Sequence, residues 1–211
     1  MPCKRDWRAP LLVLGLLSMF CSGSGASADS LGTPRATVEA FQKSLLDVMK
    51  RAHELGVKGR YDALSPIIGN TFDIEVMART MTRPYWESAT QEQRARLIKS
   101  SRRIMVATVA AFLAHQREVT FSVLRERTTD GSLVLVDAQI NEPEKTPVAV
   151  TYVAAPKEGR WWLIDVIIGN GISELATRKA EYQGPLSSGG TENLIDALEQ
   201  QVYGVLPRQQ K

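Results

Sequence analysis

Cysteine is nearly missing from this 211-residue chain: the two present, Cys3 and Cys21, both fall before Asp29. Beyond them the sequence has no thiol, which excludes a thiol nucleophile, a zinc–thiolate site and a disulfide framework. Histidine is almost as scarce, with only His53 and His115. No HExxH, GxSxG, P-loop, or GxGxxG following a strand occurs, so the common metal, serine-hydrolase and nucleotide sites are missing as well. A charge of one sign is also lacking. The formal net charge is +3, and setting aside Lys4, Arg5, Arg8 and Asp6 leaves 23 basic side chains against 22 acidic ones. With no basic run after the N-terminus, the pattern argues against a nucleic-acid partner, which needs Lys and Arg gathered on one face.

The stretch 1–28 reads as an export signal. Lys4, Arg5 and Arg8 precede an apolar run from Leu11 to Phe20, and Ala26-Ser27-Ala28 supplies the small residues that a signal peptidase requires. The expected mature start is Asp29, and the expected location is a bacterial periplasm. About ten apolar residues span only about half of a 30 Å hydrocarbon core, so this run is too short for an anchor. Phe20 before Cys21 is too bulky for a lipoprotein signal. No other stretch reads as a transmembrane segment, and residues 29–211 read as one domain.

What remains changes period once in each direction. Thr33 as N-cap and Pro34 at the first helical position open a run in which Val38, Phe41, Leu45, Val48 or Met49, Ala52 and Leu55 recur every three or four residues. Gly56 and Gly59 are expected to stop it. Short helices follow, one from Tyr61 or Pro66 and one from Asp73 through Met81. Thr90 and Gln93 form a capping box for a long helix reaching about His115. From Val119 the alternation is two-residue, with turns at Asp130-Gly131, between Pro143 and Pro147, and at Lys157-Glu158-Gly159. This predicts a four-stranded antiparallel meander over Val119–Val123, Leu133–Ile140, Val148–Ala154 and Arg160–Ile168. Leu133–Val136 and Trp161–Ile168 are apolar on both faces, which predicts helices over more than one side. Helical period returns after Gly169-Asn170-Gly171, in two segments separated by Ser187–Gly190. The fold class is therefore α+β: N-terminal helices, a meander sheet and C-terminal helices.

Individual residues offer little chemistry. His53 reads as a surface residue and His115 as a helix C-terminal partner of the dipole. Asp165, between Ile164 and Val166, must be paired or protonated if buried; it reads either as a structural hydrogen-bond anchor or as a general base. One of Trp161 and Trp162 must face the opposite side of the sheet from the other.

Three stretches carry a resemblance. Phe72-Asp73-Ile74-Glu75-Val76-Met77-Ala78, with Tyr85-Trp86 and Ala89-Thr90-Gln91-Glu92-Gln93-Arg94, resembles the opening signature of the MlaC-like (toluene-tolerance) periplasmic phospholipid-transport proteins. Gly159-Arg160-Trp161 through Asp165-Val166, Gly171-Ile172-Ser173 and Arg178 to Tyr182 are similar to that family's final strand and following helix. Gly189-Gly190 with Leu194, Ile195 and Leu198 is the third. The stretch from Gly169 to Arg178 looks more like the branch found with hopanoid-biosynthesis genes.

The resemblance implies a carrier with no catalytic residue, metal or cofactor, moving a phospholipid or hopanoid-type lipid in an apolar cavity between sheet and helices. The partners it implies are an inner-membrane ABC-type lipid transport complex and an outer-membrane lipoprotein complex. The expected lining is Met77, Met81, Trp86, Met105, Val109, Phe112, Val134, Val136, Val150, Tyr152, Trp161 and Leu163; the three methionines are adaptable side chains suited to it. Two other readings stand beside the carrier: an NTF2-like enzyme with Asp165 as base, and an interaction module whose interior is filled by its own side chains.

Overall fold

In the computed structural model of the protein, residues 32–114 and 118–206 are described; the expected export signal and His115 lie outside them. The Thr33 side chain accepts the Ala36 N–H and Pro34 occupies the first turn, so α1 (Pro34–Lys50) begins where the capping residues place it. It buries Val38, Phe41, Leu45 and Val48. The helix ends earlier than its apolar period suggests, at Arg51, and α2 (Ala52–Thr71) bends at Gly56, whose φ of 59° suits glycine alone. Gly59 and Pro66 sit inside α2, correcting the expectation of a break at Gly59 and a fresh start near Tyr61 or Pro66. The expected break at Gly56 does occur, and buried Arg60 spans it. Its guanidinium donates to the Ala52 carbonyl and to the Ala110 carbonyl of the next long helix, both at 2.7 Å, so main-chain groups beside the bend keep partners.

Asp73 starts α3 (Ile74–Thr82) and also ties it to the sheet. One carboxylate oxygen accepts the Val76 N–H at 3.1 Å, the other accepts Lys157 Nζ at 2.8 Å, and the Asp73 N–H donates to Leu163 O at 3.0 Å. A single turn, α4 (Tyr85–Ser88), leads into α5 (Gln91–Phe112), which carries the full Thr90–Gln93 capping box.

The sheet has five antiparallel strands in chain order, β1 (Thr120–Thr128), β2 (Val134–Asn141), β3 (Val148–Lys157), β4 (Arg160–Ile168) and β5 (Ile172–Ser173). The fifth strand corrects the expected four. Two residues carry no readable period, and Ile172 and Ser173 are fixed by pairing with Ile168 and Ile167. Ser173 then caps α6 (Glu174–Val205), which bends at Gly189 and Gly190.

The expectation that helices cover both faces is also corrected. Val134, Val136 and Ala138 of β2 are buried in the core with α1, α2 and α5, whereas Leu135, Asp137 and Gln139 between them stay half-exposed. That outer face carries a polar network. Asp137 accepts from Arg125 at 2.8 Å, twice from Arg127 at 2.7 Å, and from Thr151 at 2.8 Å. The two guanidiniums hold its carboxyl well below the usual carboxylate range. Trp161 packs against the core, while Trp162 lies under the Arg160 guanidinium, 3.8 Å from its ring centre.

Apolar side chains gather into two cores. The first joins the sheet to α1, α2 and the C-terminal half of α5. The second joins α3, α4, α5 and α6 around Met81, Trp86, Leu97, Ile104, Tyr182 and Leu194.

Candidate functional site

Between these cores lies a cavity of about 530 Å³, lined by members of both. Well-packed interiors leave few voids larger than a water molecule, and this volume falls in the range of small-molecule sites. Its walls come from every layer. α1 gives Phe41, Leu45 and Met49, one turn apart. Phe72, Ile74, Met77 and Met81 come from α3 and its approach. Phe121, Ile140, Val150, Tyr152 and Val166 project from the sheet, and Leu175 and Tyr182 from α6.

The long wall is a stripe along α5: Ser101, Ile104, Met105, Thr108, Val109 and Phe112. Spacings of three and four put these side chains on one helical face. Exposure rises along it, from 6% at Ser101 and 8% at Ile104 to 54% at Phe112, which gives the cavity a floor and a mouth. Val148 and Ile168 are exposed lining residues at the same end of the sheet. Glu142, Glu174 and Arg178 add the charged part of the lining, with Arg178 paired to Glu181 at 2.8 Å.

Of the twelve residues expected to line such a cavity, Met77, Met81, Met105, Val109, Phe112, Val150 and Tyr152 do border it. Trp86, Val134, Val136, Trp161 and Leu163 do not, and packing explains each. Trp86 belongs to the helical core, with the Arg94 guanidinium 5.4 Å from its ring centre. Val134, Val136 and Leu163 are buried in the first core at the closed end of the sheet, and Trp161 packs against that core. Strand alternation alone cannot separate a closed end from a hollow one.

A bulge in β4 matters most. Ala154 pairs with Leu163 and Val153 with Asp165, so Ile164 is the extra residue. The bulge reverses the phase of the strand. Leu163 faces inward before it; Val166 and Ile168 face the cavity after it. Asp165 is therefore turned from the cavity. Its Oδ1 accepts the Val166 N–H at 2.8 Å and the Leu175 N–H at 3.0 Å, and its Oδ2 accepts Ser173 Oγ at 2.6 Å. The carboxylate thus ties β4 to β5 and the first turn of α6, which carries Leu175 and Arg178 to the cavity. The NTF2-like reading needs Asp165 beside a bound substrate, and this geometry does not supply that.

Asp165→Asn should cost about 1 to 3 kcal/mol, because all three groups bonded to the carboxylate are donors and an amide nitrogen in place of one oxygen cannot accept from any of them. Urea unfolding should show a lower midpoint at unchanged slope; a midpoint equal to wild type would refute the anchor.

The remaining polar groups are suited to contact more than to chemistry. Burial pushes the Tyr182 phenol up to about 12 and raises Tyr152 as well, so both stay neutral near pH 7. His53 is exposed on α2. Among the described residues no cluster of His, Cys, Asp and Glu could hold a metal ion, and no helix is long and apolar enough to cross a membrane.

Comparison with known proteins bears on the same span. The family described as MlaC protein matches residues 39–200. No curated protein matches the chain. Among solved structures, a phospholipid-binding protein from Ralstonia solanacearum, determined in complex with a phospholipid, has the same fold. It is 21% identical, with a TM-score of 0.71 over 81% of this chain and 97% of that one.

Proposed function

Because this chain belongs to the MlaC protein family, we propose that it is a lipid carrier that holds the hydrocarbon part of a phospholipid in the cavity between its two cores. The observation that carries this reading is the cavity itself, about 530 Å³ of space with a mostly aliphatic, aromatic and methionine lining. An interaction module with no ligand would gain by filling it, since voids lose packing contacts on every wall. Burying one CH₂ contributes about 0.8 kcal/mol, so a chain of about 15 methylenes contributes on the order of 12 kcal/mol before ordering and desolvation costs. Such binding uses no catalytic group. The phospholipid complex of the Ralstonia protein, which shares the fold, supports the same ligand class.

The finer reading is that the segment ending at Ala28 directs export and is removed before Asp29. The mature protein then works in the periplasm, exchanging its lipid with an inner-membrane ABC-type complex and an outer-membrane lipoprotein complex. A hopanoid-type lipid is the alternative cargo, suggested by the Gly169–Arg178 stretch. Native mass spectrometry of gently purified protein tests both levels together. The expected result is a polypeptide starting at Asp29 with one or more lipids bound, identified after extraction. A protein that is folded, lipid-free and unable to take up phospholipid from vesicles would refute the carrier; a chain retaining Met1 would refute export alone.

A further inference from the structure

The charges in the cavity lining are gathered at its mouth. There α6 follows directly from β5, whose Ile172 pairs with Ile168, an exposed lining residue at that end of the sheet. The lining residues of α6 then run inward: Glu174 and Arg178 have side chains 40% and 33% exposed, whereas Tyr182, one turn deeper, is buried. Spacings of four put all three on one helical face. The acid and the base on that face do not satisfy each other. Arg178 Nη1 donates to Glu181 at 2.8 Å, but Nη2 stands 3.9 Å from Glu174 Oε2, too far for a hydrogen bond. Glu142, at the end of β2, is by contrast paired with Lys145 at 2.6 Å. A guanidinium N–H and a carboxylate oxygen are thus held side by side on accessible side chains, where a tail-first lipid leaves its headgroup.

Charge identifies the headgroup. Glu174 and Glu181 set two carboxylates against the one guanidinium of Arg178, so the group carries one negative charge in excess. A purely anionic headgroup would add to that excess, whereas a zwitterion adds nothing and brings a cation to offset it. We infer that Glu174 and Arg178 are specificity-determining contacts for the headgroup: Arg178 Nη2 donates to a phosphate oxygen, and Glu174 accepts from a primary ammonium. The carrier then favours a zwitterionic phosphoethanolamine headgroup over an anionic phosphoglycerol headgroup on the same acyl chains. In the former a two-carbon link joins phosphate to ammonium, which suits opposite charges on adjacent turns of one helix. This rests on the lipid-carrier reading and adds to it a headgroup chemistry.

The test offers lipid-stripped protein vesicles made of equal parts phosphatidylethanolamine and phosphatidylglycerol with identical acyl chains. Both lipids then leave one surface, and the ratio bound to the protein, read by mass spectrometry, reports the headgroup contacts alone. Wild type should carry about three- to fivefold more phosphatidylethanolamine, the span expected for a partly exposed charge contact. Glu174→Gln should bring the ratio close to one, and Glu174→Lys, which presents a second cation to the phosphate, should invert it. An even ratio in the wild type, or an excess of phosphatidylethanolamine that survives in both variants, overturns the assignment and leaves the carrier standing. Failure of the wild type to take up either lipid removes the carrier reading as well.

Discussion

Met105→Trp should yield a folded protein that co-purifies with at least about tenfold less lipid than wild type. Met105 stands half-buried in the middle of the α5 wall, between the Ser101 floor and the Phe112 mouth. An indole there has the cavity itself to enter, so it avoids the strain of about 1 to 3 kcal/mol that overpacking a filled core imposes. It would occupy the space an acyl chain needs, and each excluded methylene forfeits about 0.8 kcal/mol. Val136→Trp is the contrasting variant. Val136 is fully buried at the closed end of the sheet and is not part of the lining. The indole has no empty space to enter there, so it should lower stability while the molecules that still fold keep their lipid. Native mass spectrometry gives the load, and urea unfolding gives the stability. A folded Met105→Trp protein with a full lipid load would place the ligand elsewhere.

The different fates of these two positions mark how far the sequence can be read. Capping residues are local, and Thr33-Pro34, Asp73 and the Thr90–Gln93 box each begin a helix where their chemistry requires. The hairpin turns are local too, so the meander is legible. Features that depend on a partner distant in sequence are not. Arg60, beside the break at Gly56, finds its partner in the Ala110 carbonyl fifty residues on, and β5 exists only through its pairing with β4. The outer face of the sheet looks apolar in β4, yet it is organised by Asp137 collecting two arginines from β1.

The cavity is legible as a helix face and blurred as a sheet face. Met105, Val109 and Phe112 follow from the period of α5, a single uninterrupted helix. On the sheet, alternation selects one face along its whole length, but the hollow lies under one end of it, at Ile140, Val148, Val150, Val166 and Ile168. A bulge leaves no sequence signature comparable to a turn, and the one at Ile164 carries Asp165 to the outside. Phe41, Leu45 and Met49 form a stripe of large residues one turn apart, which is the signal that could have found the α1 wall. Arg178 and Tyr182 lie in a helix whose entry angle is set by the Asp165 anchor, a contact no periodicity reveals.

Truncating side chains should separate the filled half of the interior from the hollow half by a wide margin. Leu163 is fully buried, and its carbonyl accepts the Asp73 N–H, so the space it vacates is framed by the tie between α3 and the sheet and has little freedom to collapse. Leu163→Ala should cost about 2 to 5 kcal/mol, a fall in Tm on the order of 4 to 20 °C for a domain of this size. Met77 is only half-buried and already borders empty space. Its side chain has fewer protein contacts to lose, so in lipid-free protein Met77→Ala should cost about 1 kcal/mol or less. With lipid bound the order of effects changes. A chain packed against Met77 supplies the missing contacts, and the truncation should then cost more than in the lipid-free form, measured as a smaller stabilisation on lipid addition. Leu163→Ala should lose the same amount in both forms. If Met77→Ala and Leu163→Ala were equally destabilising in lipid-free protein, with no dependence on lipid, the wall at Met77 would be close-packed and the cavity would not be the binding site.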